Sequence, residues 1–315
     1  MSRPASAATS RPSAPVFAIP EADHPSIRLH QHGSAGLVCK RAQAGGGSEL
    51  LYQQGPDADP TIVYASPNPI ADPRVIQGTS DLLLWLEEVK GAWRLQAAPL
   101  TDDGRGRPTQ LASRAIAFAA VADKRGRVWV VWQAGGTRPF ALYARQHGTN
   151  GWSRRARVSP PGASCWRPAA CACQKGGIWI SWDAEEAGTF HVFARALPAP
   201  ARPGRVHRLT NGPDLHLDSA VAEGQDGGVW VAWSRLEHWN TSRIYRLNAH
   251  RDLVLRRLDP KTGRISVCDS GEEAAGGQVA RPPDPFPGGN ATCPQLYVDD
   301  KGAVHLLFRC IHIMG

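Results

Sequence analysis

The sequence GRVWVVWQ at residues 126–133 recurs as GGIWISWD at 176–183 and as GGVWVAWS at 227–234. The copies are spaced by 50 and 51 residues. Weaker copies lie at residues 35–42, 81–88 and 301–309. A period of about fifty residues is typical of a repeat architecture, in which each unit packs against its neighbours.

Each copy forms the second half of a predicted β-hairpin. A short apolar strand comes first, and a glycine-containing turn such as DKRG at 123–126 or QKGG at 174–177 joins the two strands. Glycine supplies the positive φ that tight hairpins require. Two further strands follow, for example near residues 140–145 and 152–159. Four strands in about fifty residues, repeated along the chain, are typical of the blades of a β-propeller.

The tryptophans of the repeat support this fold. In the strand VWVVW at 128–132, alternation points Trp129 and Trp132 to opposite faces, and both faces are apolar. A propeller blade is covered on both faces by its neighbours, whereas a two-sheet sandwich leaves one face polar. We therefore expect six tryptophans to lie in the core: Trp129, Trp132, Trp179, Trp182, Trp230 and Trp233.

The prediction is an all-β fold, a six-bladed β-propeller with four-stranded blades of about 45–50 residues. Residues 1–15 are expected to form a disordered lead and residues 16–315 a single propeller domain, with a Gly/Pro-rich insertion loop at 270–290. The last blade stops after its second strand, so it is either incomplete or closed by the N-terminal segment Val16–Ile19. The blades are placed near residues 25–66, 73–113, 115–159, 167–210, 218–268 and 291–315.

The composition narrows the classes of partner. Of the 315 residues, 36 are Lys or Arg and 28 are Asp or Glu, a formal net charge of +8. The arginines are scattered, and the longest cluster, at residues 154–157, fits a charged strand edge, so nucleic-acid binding is not expected. No apolar run is long enough to span a membrane. The N-terminus has no apolar signal region, so a cytoplasmic location is the default, and secretion would require an upstream start site.

The seven cysteines do not predict a metal site. Cys171 and Cys173 alternate within one strand and point to one face, with Cys165 nearby, but no second cysteine or histidine pair lies at zinc-binding spacing. We expect mostly buried thiols and no cofactor, and one or two disulfides stay open for the case of an upstream start site.

The pattern D-x-x-G-x-V-W-V-x-W, followed by Y-A-R and G-W-S between residues 123 and 153, resembles the repeat of sialidase-like propellers of the bacterial neuraminidase type. The resemblance implies a propeller over residues 25–315 and a carbohydrate as one class of ligand. The strict Asp box is absent, and the Phe-Arg-Ile-Pro motif has only a degenerate counterpart at 73–77. A sialidase active site is therefore not transferred to this chain.

The blade topology predicts where a ligand would bind. If the strands run A-B-C-D outward, the B–C and D–A loops share one face, and propeller ligands usually lie on that face over the channel. The A–B turns look short and structural, and the B–C and D–A loops look longer. The repeat offsets place Arg167, Asp218 and Cys293 at one equivalent position, with His216 nearby. The ligand-binding candidates are Trp166, Arg167, Glu185, Arg235, His238, Trp239 and Arg309.

Three functions are open from the sequence. The first is binding of a carbohydrate or a protein on this loop face, because aromatic rings stack on sugars and arginines bind acids bidentately. The second is a glycoside hydrolase or polysaccharide lyase acting on acidic sugars, with Asp183, Glu237 and Asp218 as catalytic candidates. The third is a structural interaction scaffold, for which the loop face is merely solvated.

Overall fold

The computed structural model describes residues 19–29, 35–101, 106–236, 251–267 and 290–311. Within these ranges the secondary structure consists of 23 β-strands, with no helix. The strands form sheets in which most neighbouring strands are consecutive in the chain and antiparallel. This arrangement follows from the sequence, since each pair of apolar strands is joined by a turn that reverses the chain.

The first three sheets follow one another along the chain. The third has its outer strand in two pieces, both paired with β11. The sheets are β1 (Ala22–Leu29), β2 (Ala35–Ala42), β3 (Ser48–Gln53) and β4 (Thr61–Ser66); β5 (Ile70–Ile76), β6 (Leu82–Val89), β7 (Ala92–Pro99) and β8 (Thr109–Ala112); and β9 (Ala115–Ala122), β10 (Val128–Ala134), β11 (Leu142–Gly148), β12 (Gly151–Trp152) and β13 (Ala156–Arg157).

The remaining strands continue the pattern. A single parallel bridge, between Arg251 and Asn290, joins the last hairpin to the fifth sheet. These strands are β14 (Ser164–Ala172), β15 (Ile178–Glu186), β16 (Thr189–Leu197) and β17 (His207–Arg208); β18 (Leu215–Glu223), β19 (Val229–Leu236), β20 (Arg251–Leu258) and β21 (Ile265–Val267); and β22 (Asn290–Val298) with β23 (Val304–Ile311).

The first strand of each unit is the innermost one. Strands β1 and β5 contact each other, as do β5 and β9, β9 and β14, β14 and β18, and β18 and β22. The sheets therefore radiate from a common axis, which is the arrangement of a propeller. We call the first to fifth sheets blades 1 to 5, and the β22–β23 hairpin blade 6. The all-β propeller predicted from the repeat is confirmed.

The hydrophobic core lies between neighbouring blades. Trp129 packs with Ile178 and Trp182 of the next blade, while Trp132 packs with Leu84 of the preceding one. The two faces of strand β10 therefore bury their side chains against different blades, as the alternation predicts. Five of the six repeat tryptophans are buried, and the sixth, Trp230, is half-buried.

A buried carboxylate fastens the hairpin of blade 3. The Asp123 carboxylate accepts hydrogen bonds from the backbone N–H groups of Arg125 (2.9 Å) and Arg127 (3.1 Å). It also accepts from Arg127 Nε (2.8 Å) and from the indole N–H of Trp129 (3.0 Å). The aspartate that opens the sequence motif thus ties the turn to the strand that follows it.

The loop lengths differ from the sequence prediction. The B–C loops of blades 2 and 4 were expected to be long, but they are two-residue turns, Lys90–Gly91 and Ala187–Gly188. All four residues have positive φ, the conformation that two-residue hairpins need. The expectation was wrong because strands β6 and β15 continue through the acidic residues after the repeat motif, so that Glu185 lies within β15.

Two expectations stay predictions: the disordered lead at residues 1–15, and the closure of the last blade by the N-terminal segment. Residues 1–18, which include most of the segment Val16–Ile19, and residues 270–289 of the predicted insertion loop lie outside the described residues. Blade 6 has two strands within the described part of the chain. Among the described residues, no helix is long and apolar enough to cross a membrane, and no cluster of His, Cys, Asp and Glu could hold a metal ion. Cys39 and Cys165 are buried free thiols as expected, whereas Cys171 and Cys173 are half-buried and Cys293 is exposed, so the expectation of buried thiols was wrong for these three.

Candidate functional site

Five innermost strands begin with the same unusual conformation. Each contains a β-bulge at which a residue other than glycine adopts a left-handed φ between 43° and 57°. Such residues cost about 1–3 kcal/mol each and concentrate at functional sites. We call this set, which includes the three positions that the repeat offsets predict to be equivalent, the bulge residues: His24, Asp72, Arg167, Asp218 and Cys293.

The bulge residues lie where the innermost strands begin, at the end of the propeller axis that we call the channel mouth. Their side chains are accessible: 53% of His24, 37% of Asp72, 43% of Arg167 and 21% of Asp218 is exposed, and Cys293 is also exposed. Because successive innermost strands contact each other, these five polar side chains follow one another around the mouth.

The bulges are linked from blade to blade. The backbone N–H of Arg167 donates to the Gln133 side-chain oxygen of blade 3 (3.1 Å), and the N–H of Asp218 donates to the Asp183 carboxylate of blade 4 (3.1 Å). Gln133 and Asp183 are separated by 50 residues and occupy the same place in their blades. Each one therefore supports the bulge of the following blade.

Blade 3 has no left-handed bulge residue, and blade 2 offers no side-chain acceptor at the corresponding place. The position in blade 2 that corresponds to Asp183 is Leu86, since both lie opposite the residue that precedes a bulge. Leucine cannot accept a hydrogen bond from a bulge N–H. Strand β9 instead has a one-residue bulge at Ile116. This residue has no partner on β10, because Ala115 pairs with Ala134 and Ala117 pairs with Gln133.

Arg167 joins two carboxylates at the mouth. Its Nε lies 2.9 Å and its Nη2 2.8 Å from Asp183 Oδ2, and Nε lies 3.2 Å from Asp218 Oδ1. The guanidinium thus bridges blades 4 and 5. Asp183 is completely buried, while Arg167 and Asp218 reach solvent. Asp183 therefore fixes the Arg167 guanidinium and the Asp218 backbone through its Oδ2 atom.

The pKa of Asp183 is raised from its ordinary 3.8 to about 7, chiefly by burial and to a lesser extent by the neighbouring Asp218 charge. The Arg167 guanidinium and the Asp218 N–H oppose the rise. Oδ1 of Asp183 is buried and has no hydrogen-bond partner among the described residues. Desolvation dominates because a carboxylate with one unpartnered oxygen loses more hydration than its contacts replace.

Trp166 is an aromatic candidate whose ring is already partly covered. The side chain is half-buried, and the Arg138 guanidinium lies 5.2 Å above the ring. Phe140 packs edge-on against Trp166 at 4.6 Å, and Arg138 donates to Glu185 at 2.8 Å. Arg138 therefore links Trp166 and Glu185. A sugar that stacked on this face of the ring would have to displace it.

His216 lies two residues before Asp218 and is buried. Its Nδ1 accepts a hydrogen bond from the indole N–H of Trp233 at 2.9 Å. Burial lowers the pKa of His216 to about 4, so the imidazole is neutral at pH 7. Its Nε2 is buried without a hydrogen-bond partner within the described ranges. The histidine thus contributes a neutral polar group behind the mouth.

The remaining candidates are spread out or lie outside the described residues. Arg235 is half-buried near the end of strand β19, and Arg309 is exposed on β23, opposite Thr292. Glu237, His238 and Trp239 lie outside the described residues. The structure thus brings together Arg167, Asp183 and Asp218, and connects Trp166 with Glu185.

Sequence reasoning missed four residues at this end of the propeller. Gln133 could have been found from its 50-residue offset to Asp183. The bulges at His24 and Asp72 had no signal in the sequence, because the first two blades match the repeat weakly. Arg138 follows strand β10 and was not considered as a partner for Trp166.

No protein-family model matches this sequence, and no curated protein does. Solved structures do resemble it. The polysaccharide lyase Uly1 matches 98% of this chain and 85% of its own, with 9% identity and a TM-score of 0.56. A protein of unknown function from Dyadobacter fermentans DSM 18053 matches 92% of this chain and 95% of its own, with 13% identity and a TM-score of 0.53. At these identities the likeness shows a shared fold.

Proposed function

We propose that the channel mouth binds an acidic carbohydrate and that the chain is a sialidase-like propeller. The observation that carries this proposal is the set of five accessible bulge residues, which occupy equivalent left-handed positions in successive blades other than blade 3. A structural turn at such a position would favour glycine, whereas here the positions hold His, Asp, Arg, Asp and Cys. The backbone strain of a left-handed φ thus occurs at positions whose polar side chains face solvent.

The chemistry of the mouth suits a polyhydroxylated acid. Sugar hydroxyls both donate and accept hydrogen bonds, and the mouth offers carboxylates, an imidazole and a guanidinium. Arg167 is held by Asp183 and Asp218, while its Nη1 makes no hydrogen bond to a described residue. An oriented guanidinium with unused N–H groups suits a sugar carboxylate, which it can bind without a large loss of side-chain entropy. The shared fold with a polysaccharide lyase also supports a carbohydrate ligand.

The test is binding of polygalacturonate compared with neutral galactan, measured by affinity electrophoresis and calorimetry. We expect polygalacturonate to bind and Arg167→Ala to weaken binding by about tenfold or more, because a charge-assisted hydrogen bond is lost. Arg107→Ala removes an exposed arginine of the β7–β8 connection and serves as the charge-matched control. Equal affinity of wild type and a folded Arg167→Ala protein would contradict the proposal, and a protein ligand would then be sought.

A lyase activity is the second candidate, favoured by the position of Asp218 beside Arg167. β-Elimination of a uronate needs a group that neutralises the carboxylate and a base that removes the proton at C5. The C4–O bond then breaks, the C4–C5 double bond forms, and the leaving oxygen takes up a proton. Arg167 would bind the carboxylate and Asp218, which is accessible, would act as the base. Buried Asp183 would position both.

Release of unsaturated product is followed by its ultraviolet absorbance. We expect Asp218→Asn to abolish the signal while polygalacturonate still binds. Binding without any absorbance change in the wild type would exclude the lyase and leave the binding function intact. A glycoside hydrolase would require a second accessible carboxylate, and Glu237, the sequence candidate for it, lies outside the described residues.

A further inference from the structure

A groove of ≈ 430 Å³ lies at the opposite end of the propeller from the channel mouth. It is formed by the A–B turn and the β11–β12 hairpin of blade 3, together with Thr79 of blade 2. These elements are fastened to each other, since the Thr79 N–H donates to the Gly126 carbonyl at 2.7 Å. The short, glycine-rich A–B turns of this face predict a structural role for it.

The groove is basic. Arg125 and Arg127 line it, and none of the lining residues is acidic. Arg127 is fixed by the buried Asp123, whose Oδ2 lies 2.8 Å from Nε and 2.7 Å from Nη2. Arg125 is exposed, and its guanidinium forms no ion pair or hydrogen bond with a described residue. One guanidinium is therefore oriented and the other is open to an anion.

The other lining groups fit a small polar ligand. The hairpin tip presents Thr149 and Asn150, which are exposed, between two glycines. The Trp152 ring is fixed by His147, whose ring centroid lies 4.9 Å away, and by the Arg145 guanidinium at 5.8 Å. The groove thus places hydroxyl and amide groups, which can both donate and accept hydrogen bonds to sugar hydroxyls, beside an aromatic ring whose orientation is fixed by His147 and Arg145.

We propose that this groove is a second binding site, for a saccharide that carries an oxyanion: a phosphate ester, a sulfate ester or a carboxylate. The two guanidinium groups bind the oxyanion, and Thr149, Asn150 and Trp152 contact the saccharide. This site is independent of the channel mouth, since the two share no residue and lie at opposite ends of the blades.

The experiment uses the Arg167→Ala protein, in which binding at the channel mouth is expected to be weakened. Glucose 6-phosphate, glucose 6-sulfate, glucuronate and glucose are titrated by calorimetry. We expect at least one of the charged sugars to bind about tenfold or more tightly than glucose, and the comparison shows which oxyanion is preferred. Binding should weaken as salt is raised.

Arg125→Ala should reduce the affinity for the preferred sugar by about tenfold or more. Lys124→Ala removes the same charge from the same turn but not from the groove, and should change the affinity by less than about twofold. The proposal is overturned if no charged sugar binds, if glucose binds equally well, or if Arg125→Ala binds like Lys124→Ala. None of these results bears on the channel mouth.

Discussion

Replacement of Asp183 by asparagine tests the electrostatics of the channel mouth directly. Asp183 is fully buried, and its pKa of about 7 lies about three pH units above the ordinary 3.8. In the native state the carboxyl group keeps its proton over a pH range in which the unfolded chain has already lost it. The native state therefore binds more protons than the unfolded state between these two values.

The sign and size of the effect follow from this difference. Because the folded pKa is raised, Asp183 makes the free energy of unfolding fall as the pH rises from about 4 to about 7, and the loss is complete above pH 7. Each pH unit within that range costs about 1.4 kcal/mol. The asparagine side chain of the variant has no proton to lose. The stability of the wild type relative to Asp183→Asn should therefore drop by about 3 kcal/mol between pH 5 and pH 8.

The difference in free energy of unfolding between the wild type and Asp183→Asn is measured by urea unfolding, followed by tryptophan fluorescence. Both proteins are measured at four pH values from pH 5 to pH 8. The matched control is Glu185→Gln, which neutralises an accessible carboxylate of the same strand, paired with Arg138. Its difference from wild type should vary with pH by less than about 1 kcal/mol. A constant difference between wild type and Asp183→Asn, or one that grows in favour of wild type at high pH, would refute the reasoning.

Two further predictions concern the contacts between blades. Trp129→Ala should lower the free energy of unfolding by about 3–5 kcal/mol, because it opens a cavity between blades 3 and 4, and half-buried Trp230→Ala should cost less. Gly78→Ala should cost about 1–3 kcal/mol, since its Cβ would lie 2.5 Å from the Gly126 carbonyl oxygen, whereas a Cβ at Gly55 meets nothing within 4 Å. The midpoints of urea unfolding test both predictions. Equal losses of stability for Trp129→Ala and Trp230→Ala, or for alanine at Gly78 and at Gly55, would contradict the packing described.

Much of the propeller could be predicted because the repeat depends on interactions between residues that are close in the sequence. The spacing of Trp129 and Trp132 shows that both faces of one strand are apolar, and the glycine turn before them shows that a hairpin begins there. The loop lengths could not be predicted from the same pattern. Glu185 and Glu186 look like loop residues, yet they extend β15 to a two-residue turn, because cross-strand pairing with β16 outweighs their low strand propensity.

The sequence predicted which positions of the candidate site are equivalent, but not their conformation or burial. The repeat offsets placed Arg167, Asp218 and Cys293 at equivalent sites, and all three adopt the left-handed bulge. The bulge itself has no sequence signature, since the residues that occupy it are chemically unrelated. The sequence predicts Asp183 as a catalytic candidate, whereas its complete burial depends on how blade 5 packs against blade 4.

The sequence by itself determined the repeat, the hairpins and the two-sided hydrophobic strands, because these depend on residues a few positions apart. The tertiary structure alone decided which groups meet between blades: Asp218 with Arg167 and Asp183 at the mouth, and Thr79 with the Gly126 turn beside the basic groove. Such contacts join residues that are tens of positions apart. They depend on bulge register and on the angle at which sheets pack, and neither is encoded in a local pattern of polar and apolar residues.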